Sequence, residues 1–306
     1  MMDFTFLTKE QCFNSSGKLE ILKKRGTSAA ITDFSILLGS YVDDDYHYNS
    51  INSLEARSGY YWTSSDDKDN CVSVVESCGD EGVESVRQRD IGARPALTYS
   101  SIHNISLNKV RGKDGILEVQ YGEYPQKVAS KRLQALLEVA HNYNQSSINK
   151  TGKIYTTDSR EYSAYDEKFS AQIIEEYLFI DGKKYVRVKA NSYFDGDKFT
   201  LSNGEEYKDG DYVWVEVLPV KWLIDEKSDI ALSERILSAG VQFKHERNYK
   251  GDFSTTDIKK FMDKYFSKEI ISSPVLNKTV DLKIGGINQL QNAYEFDFKE
   301  VCRLYI

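Results

Sequence analysis

Proline is scarce in this chain, with four among 306 residues, and methionine scarcer still, with three. No window approaches the run of about 18 apolar residues that spans a bilayer as a helix. Met1 to Phe13 lacks a basic start followed by an apolar run of about seven residues or more, so no signal peptide is visible. The expectation is a cytoplasmic protein, or an exported or phage-associated one without a visible leader. Cysteine is equally sparse: Cys12, Cys71, Cys78 and Cys302 make no CxxC pair, and only His47, His103, His141 and His245 exist to help, so no structural zinc site is expected. Cys71 and Cys78 are close enough in sequence to meet across a hairpin, although nothing else points to an oxidising compartment. Phosphate-cradling GxGxxG and GxxxxGK[ST] loops are absent, and no serine sits in a nucleophile elbow. No catalytic constellation emerges, and the reading is of a protein that is not an enzyme and needs no cofactor.

What the chain does contain is tyrosine, 21 of them, with 14 phenylalanines. Tyrosine populates strands and also supplies recognition surfaces with large area at low entropic cost. A net charge of −7 argues against nucleic acid and anionic membranes as partners.

Local signals divide the chain. Residues 3–7 alternate as a short strand, after which Thr8 caps a helical turn. Lys18 to Arg25 reads as a helix stopped by Gly26, and Thr32 precedes a helix through Phe34, Leu37 and Leu38 that ends at Gly39. Asp43 to Ser53 reads as a solvated acidic loop. Strands are expected at Tyr60–Ser65, Val72–Glu76 and Val83–Gln88, with a turn over Cys78 to Gly82 and a closing strand at Ala93–Leu97 that Pro95 marks as an end or an edge. Residues 98–115 show no period and read as a linker. Beyond them Ile116–Tyr121 is a strand, YGEYPQ turns the chain, and Ser130 caps a helix carrying Leu133, Leu136, Leu137 and Ala140 on one face. Asp181-Gly182 and Asn203-Gly204 mark hairpins, and residues 212–224 and 229–237 form a long pair joined through Asp225 to Ser228. Ser254 with Asp257 resembles a capping box for a helix reaching Phe266. Val280–Ile284 and Tyr294–Ile306 look like terminal strands.

Several of these pieces together resemble a bacterial family related to C-type-lectin-like and formylglycine-generating-enzyme-like domains. Its members carry a YGxYPQ strand, a PIxW strand, an ALLxSxxIL stretch, a docked helix, a FLLS-type strand, a TDYAxxxGAY-like helix, a YWWLRSPG-like strand and a GVRPAL-like closing strand. Here YGEYPQ (Tyr121 to Gln126), PVKW (Pro219 to Trp222), ALSERIL (Ala231 to Leu237) and TDIKKFMDKYF lie in the C-terminal two thirds. FTFLTKEQ, TDFSILLGSY, GYYWTSS and GARPAL lie in the first hundred residues. The resemblance covers about two thirds of the chain and implies an α+β fold: a C-type-lectin-like mixed sheet with flanking helices, circularly permuted, with an inserted hairpin-rich β subdomain at about 150–212. The segments are then 1–97 with the YYW and GARPAL motifs, the linker 98–115, and 116–306 as the remainder of the same domain. A permutation requires GARPAL to lie antiparallel to ILEVQYG.

The resemblance also implies a binding face between the YYW strand and the closing strand. Its candidates are Ser64, Asp66, Asp67, Asp69, Asn70, Ser73, Glu76, Glu84, Arg87 and Arg89, which equally suit ordinary strand edges and turns. Tyr60, Trp62, Arg94 and Pro95 are assigned to structure, with Arg94 holding backbone carbonyls through its five donors. Asp66, Asp67, Asp69 and Asn70 lack the glycine and distal glutamate of an EF-hand loop, so they and Asp43-Asp44-Asp45 read as solvated acidic turns rather than calcium sites. The implied function is recognition of a protein or glycan, in one version as a variable display protein of a diversity-generating retroelement. The rivals are a formylglycine-generating-type oxidoreductase with a degenerate site and a phage or structural interaction protein. The ligand, the oligomeric state and the role of the tail after residue 267 are not specified by these motifs.

Overall fold

The computed structural model describes residues 3–67, 70–103, 108–147, 155–156, 173–180, 183–191, 198–245, 249–267, 283–284 and 287–288. The fold is mixed α+β, dominated by antiparallel strands. Three short helices come first: α1 (Lys9–Phe13), α2 (Glu20–Arg25) and α3 (Asp33–Leu37). Then follow β1 (Asp43–His47), β2 (Arg57–Ser58), β3 (Tyr61–Asp66), β4 (Cys71–Val75), β5 (Glu81–Ser85), β6 (Ala96–Thr98), β7 (Lys109–Arg111) and β8 (Leu117–Val128). Helix α4 (Lys131–Ser147) precedes β9 (Tyr155–Thr156), β10 (Ile173–Ile180), β11 (Lys183–Lys189), β12 (Lys198–Thr200), β13 (Glu206–Lys208), β14 (Tyr212–Asp225) and β15 (Ile230–Ser233). Helix α5 (Asp257–Phe261) runs into a wider turn at Met262–Phe266, and β16 (Lys283–Ile284) pairs with β17 (Ile287–Asn288).

Strand β14 organises the main sheet. Along one edge it carries β8 from Val215↔Val128 to Ile224↔Leu117, and along the other it takes β11 with its first half and β15 with its second. The hairpin read from Asp181-Gly182 is present as β10–β11, with Ile180 opposite Lys183. It is no separate subdomain, because β11 is the next strand of this sheet. YGEYPQ is not a turn either; it is the middle of β8, and its Gly122 (φ +69°) lies where the β8–β14 register shifts. Glycine and proline here mark bulges in a long strand.

The expected seam of a permutation is not formed. Strand β6 pairs with β15 (Ala231↔Leu97) and meets Thr5 through Ala96, while β8 pairs with β14 and β7. GARPAL and ILEVQYG are therefore separated by two strands. The physical cause is local: Ala93 N–H donates to Ser238 O, Leu237 N–H to Ala93 O, and Ser233 N–H to Pro95 O, which draws residues 93–98 onto β15. The motif segments nevertheless stand in one row, β8, β14, β15, β6 and then Thr5. Part of the expected linker is structure too, since Tyr99 and Ile102 are buried and β7 pairs with β8.

Thr8 caps α1 in a full capping box with Gln11, and Thr32 caps α3 through Ser35 N–H. At α5 the cap is Thr256, not Ser254: Asp252 accepts Ser254 N–H in a preceding tight turn, and Thr256 accepts Lys259 N–H. Thr32 and Thr256 are each followed by a buried aspartate that ties its helix to distant backbone. Asp33 accepts Val128 N–H (2.8 Å), Ser202 N–H (2.8 Å) and Ser202 Oγ (2.5 Å). Asp257 accepts His245 N–H (2.8 Å) and lies 2.6 Å from His245 Nδ1. One continuous core runs from Phe4 to Phe266, and a smaller cluster of Ala129, Leu137, Tyr185 and Trp214 seats α4. Burying each of Phe4, Phe6 and Phe34 is worth roughly 1.5–3 kcal/mol.

Candidate functional site

Strands β3, β4 and β5 form a separate antiparallel meander, as expected apart from a third strand that begins two residues early at Glu81. The turn before it is accordingly 76–80, closed by Glu76 N–H to Asp80 O (2.9 Å), with Gly79 at φ +93°. A Cβ on Gly79 would stand 2.9 Å from Ser28 N, so glycine is required there by space as well as by angle.

The inner strands are held from below. Tyr61 and Trp62 are both buried, as are Val72, Ser73, Val74 and Val75, so both faces of this part of the meander are covered. Arg94 lies beneath, 2% exposed, donating to Ser233 O (3.0 Å), Thr27 O (3.3 Å) and Tyr61 Oη (3.1 Å), while the Tyr61 hydroxyl donates to Thr27 O (2.6 Å). The assignment of Arg94 to carbonyls is met. The tyrosine it engages is Tyr61 rather than Tyr60, which the alternation rule hides because the strand has no solvent face. Tyr60 instead lies half-buried against Tyr41, ring centroids 5.2 Å apart. Trp62 packs on Phe243, and Pro95 accepts from Ser233.

The ten candidates do not form one patch. Ser73 is fully buried and presents nothing to solvent. Ser64 donates to Phe6 O (3.2 Å) and anchors the N-terminal segment, where the strand expected over residues 3–7 is reduced to a single bridge at Thr5. Asp66 and Asp67 are exposed at one end of the meander, where Asn70 (φ +66°) accepts Tyr249 N–H and the Asp66 carboxylate lies over Gly251. Asp69 lies outside the described residues. Glu76 is past the far end of β4, about 14 Å of strand away, with its side chain over Gly82, whereas Glu84 stands opposite Val72, the residue that also pairs with Asp66. Arg87 is exposed while its carbonyl accepts from Gln242, and the Arg89 carbonyl accepts from Gly240 N–H. Cys71 and Cys78 sit at opposite ends of β4, not across a hairpin, and no disulfide joins them. Burial pushes the Cys12 thiol up to about 12.

The structure brings in a stretch that sequence reasoning set aside. Residues 43–47 are a strand, not a loop, paired with β2 and fastened by Arg57, which is itself buried and donates to Asp44 Oδ1 (2.7 Å) and Thr200 O (2.6 Å). This strand is joined to the meander by Ser77 Oγ donating to Asp43 Oδ2 (2.8 Å), and residue 41 to the closing segment by Tyr41 N–H donating to Asp90 O (2.7 Å). Burial raises the Glu84 carboxyl, with Asp90 and Glu76 adding to it; burial likewise raises Asp90. The Tyr60 hydroxyl is raised by burial and then by Glu76, and the Tyr41 hydroxyl by burial and then by Asp43, Asp44 and Asp45. Among the described residues no group of three His, Cys, Asp or Glu is placed to hold a metal ion, and no helix is long and apolar enough to cross a membrane. Comparison with family models, curated proteins and solved structures finds no match.

Proposed function

We propose that this chain is a non-enzymatic recognition module that binds a protein or glycan ligand through the meander, on a C-type-lectin-like sheet. The row of motif strands β8, β14, β15 and β6 supports the lectin-like reading, without the permutation seam. The observation that carries the recognition reading is the contrast within the meander. Strands β3 and β4 are clamped over Arg94, while β5 exposes Glu81, Val83 and Ser85 and pairs with β4 alone among the described residues. A rigid base with a presented edge is the arrangement recognition surfaces use. The oxidoreductase reading needs two active-site thiols side by side, and Cys71 and Cys78 are held apart by the length of β4.

A glycan array and a phage-displayed random peptide library provide the test. Binders are expected, and replacing Asp66, Asp67 and Arg87 together with alanine is expected to cost them about tenfold or more. Hits that ignore both this triple variant and a Tyr41→Ala/Tyr60→Ala variant would remove the site from the meander; no hits at all would remove the function.

A further inference from the structure

Two stretches distant in sequence, 41–60 and 76–90, hold nine carboxylates against three arginines, so a net −6 of the chain's −7 sits in them. The hydrogen bonds Ser77–Asp43 and Tyr41–Asp90 join the two stretches into one surface. Arg57 is buried and pairs with Asp44, and Lys9 and Lys127 from outside these stretches pair with Glu81 and Glu55, so their carboxylates left without an ion pair among the described residues are Asp43, Asp45, Glu76, Asp80, Glu84 and Asp90. The two stretches also hold exposed apolar side chains: of the seven most exposed large hydrophobic side chains among the described residues, Tyr41, Tyr46, Ile51, Leu54 and Val83 lie in them. Tyr41 and Tyr60 pack edge to face, at 72°, near the carboxylates of Asp43 and Glu76, and Tyr41 N–H donates to Asp90 O.

Like charges gathered around partly exposed aromatic rings repel one another and weaken the fold, and they fit a ligand that carries the opposite sign and a hydrocarbon stem. We propose that the surface built from Tyr41–Asp45, Tyr60, Glu76, Glu84 and Asp90 docks a lysine- and arginine-bearing segment of a partner protein. This rests on the recognition reading above and narrows its ligand to a basic polypeptide. Guanidinium and ammonium groups lie over the Tyr41 and Tyr60 rings and pair with the carboxylates, while the apolar side chains take the intervening residues. A divalent ion is a poorer occupant, because no three of the described carboxylates converge.

The probe is a fluorescein-labelled peptide of about twelve residues made of lysine, arginine and leucine, with a glutamate-for-cation counterpart, titrated by anisotropy at roughly 50 and 300 mM NaCl. The basic peptide is expected to bind the intact chain and the acidic one not, with affinity falling about tenfold at the higher salt. Replacing Glu76 and Glu84 with glutamine and Asp90 with asparagine is expected to cost about tenfold or more. Tyr41→Ala with Tyr60→Ala is expected to cost about fivefold with the charge unchanged. Neutralising Glu10, Glu206 and Glu226, all exposed elsewhere, is expected to cost less than about twofold. The proposal is overturned if the basic peptide does not bind, if the carboxylate variant keeps its affinity, if the tyrosine variant binds as well as the parent, or if the control acids matter as much. Array or library hits that persist when the basic peptide fails would leave the recognition reading standing and remove only this partner.

Discussion

Arg94 and Asp90 stand four residues apart and live in opposite electrostatic worlds. Below the meander, the Arg94 guanidinium is buried and donates to two carbonyls and a tyrosine hydroxyl, with the Tyr61 ring 5.2 Å beneath it. Beside the meander, Asp90 is half-buried with one carboxylate oxygen that has no hydrogen-bond partner, and its charge adds to that of another carboxylate, Glu84. The first arrangement is what stability selects, every polar group matched. The second weakens the fold, and that cost is what the proposed docking surface would account for.

The largest effect should come from breaking the matched side. Arg94→Met removes a donor from Ser233 O and the Tyr61 hydroxyl, leaves Thr27 O with its bond from Tyr61 alone, and is expected to destabilise by about 3 kcal/mol or more, read in urea unfolding. Asp33→Ala strips the acceptor from Val128 N–H and from Ser202, and is expected to cost about 2–3 kcal/mol in the same assay. Thr256→Ala removes a helix cap and is expected to cost about 1 kcal/mol. The unmatched side should respond with the opposite sign and least magnitude: Glu84→Gln with Asp90→Asn is expected to raise the melting temperature at pH 7. Both carboxyls are raised in the folded state, so the parent gains stability as pH falls through the folded values, and that gain is complete below the unfolded value of about 4. The advantage of the double variant should therefore shrink as pH falls and vanish in that range. An unchanged difference between pH 7 and pH 4 would erase the contrast between the two regions.

How much of this was legible follows from where each feature's cause lies. The caps at Thr8 and Thr32, the stops at Gly26 and Gly39 and the hairpins around Asp181-Gly182 and Asn203-Gly204 are written in local chemistry, and they appear where expected. Strand β1 was unreadable because three successive aspartates are poor strand formers, and what holds them there is distant in sequence: Arg57 on Asp44 and Ser77 on Asp43. Ser73 looked like a surface residue because alternation assumes one wet face, which β4 lacks. The site itself was half legible: its acidic and aromatic composition stood in the sequence, but the meeting of Asp43 with Ser77 and of Tyr41 with Asp90 is a long-range event with no local signal.

The stretch from Ile230 to Ser238 serves as edge or anchor for Ala30, Ile31, Ala93 and residues 96–98. On a ribosome, the first hundred residues emerge before any of that template exists. At about 5–20 residues per second, they wait on the order of ten seconds for it. During that interval the N-terminal segment carries its buried aromatics without a sheet to cover them, which is the apolar exposure that makes a nascent chain aggregation-prone.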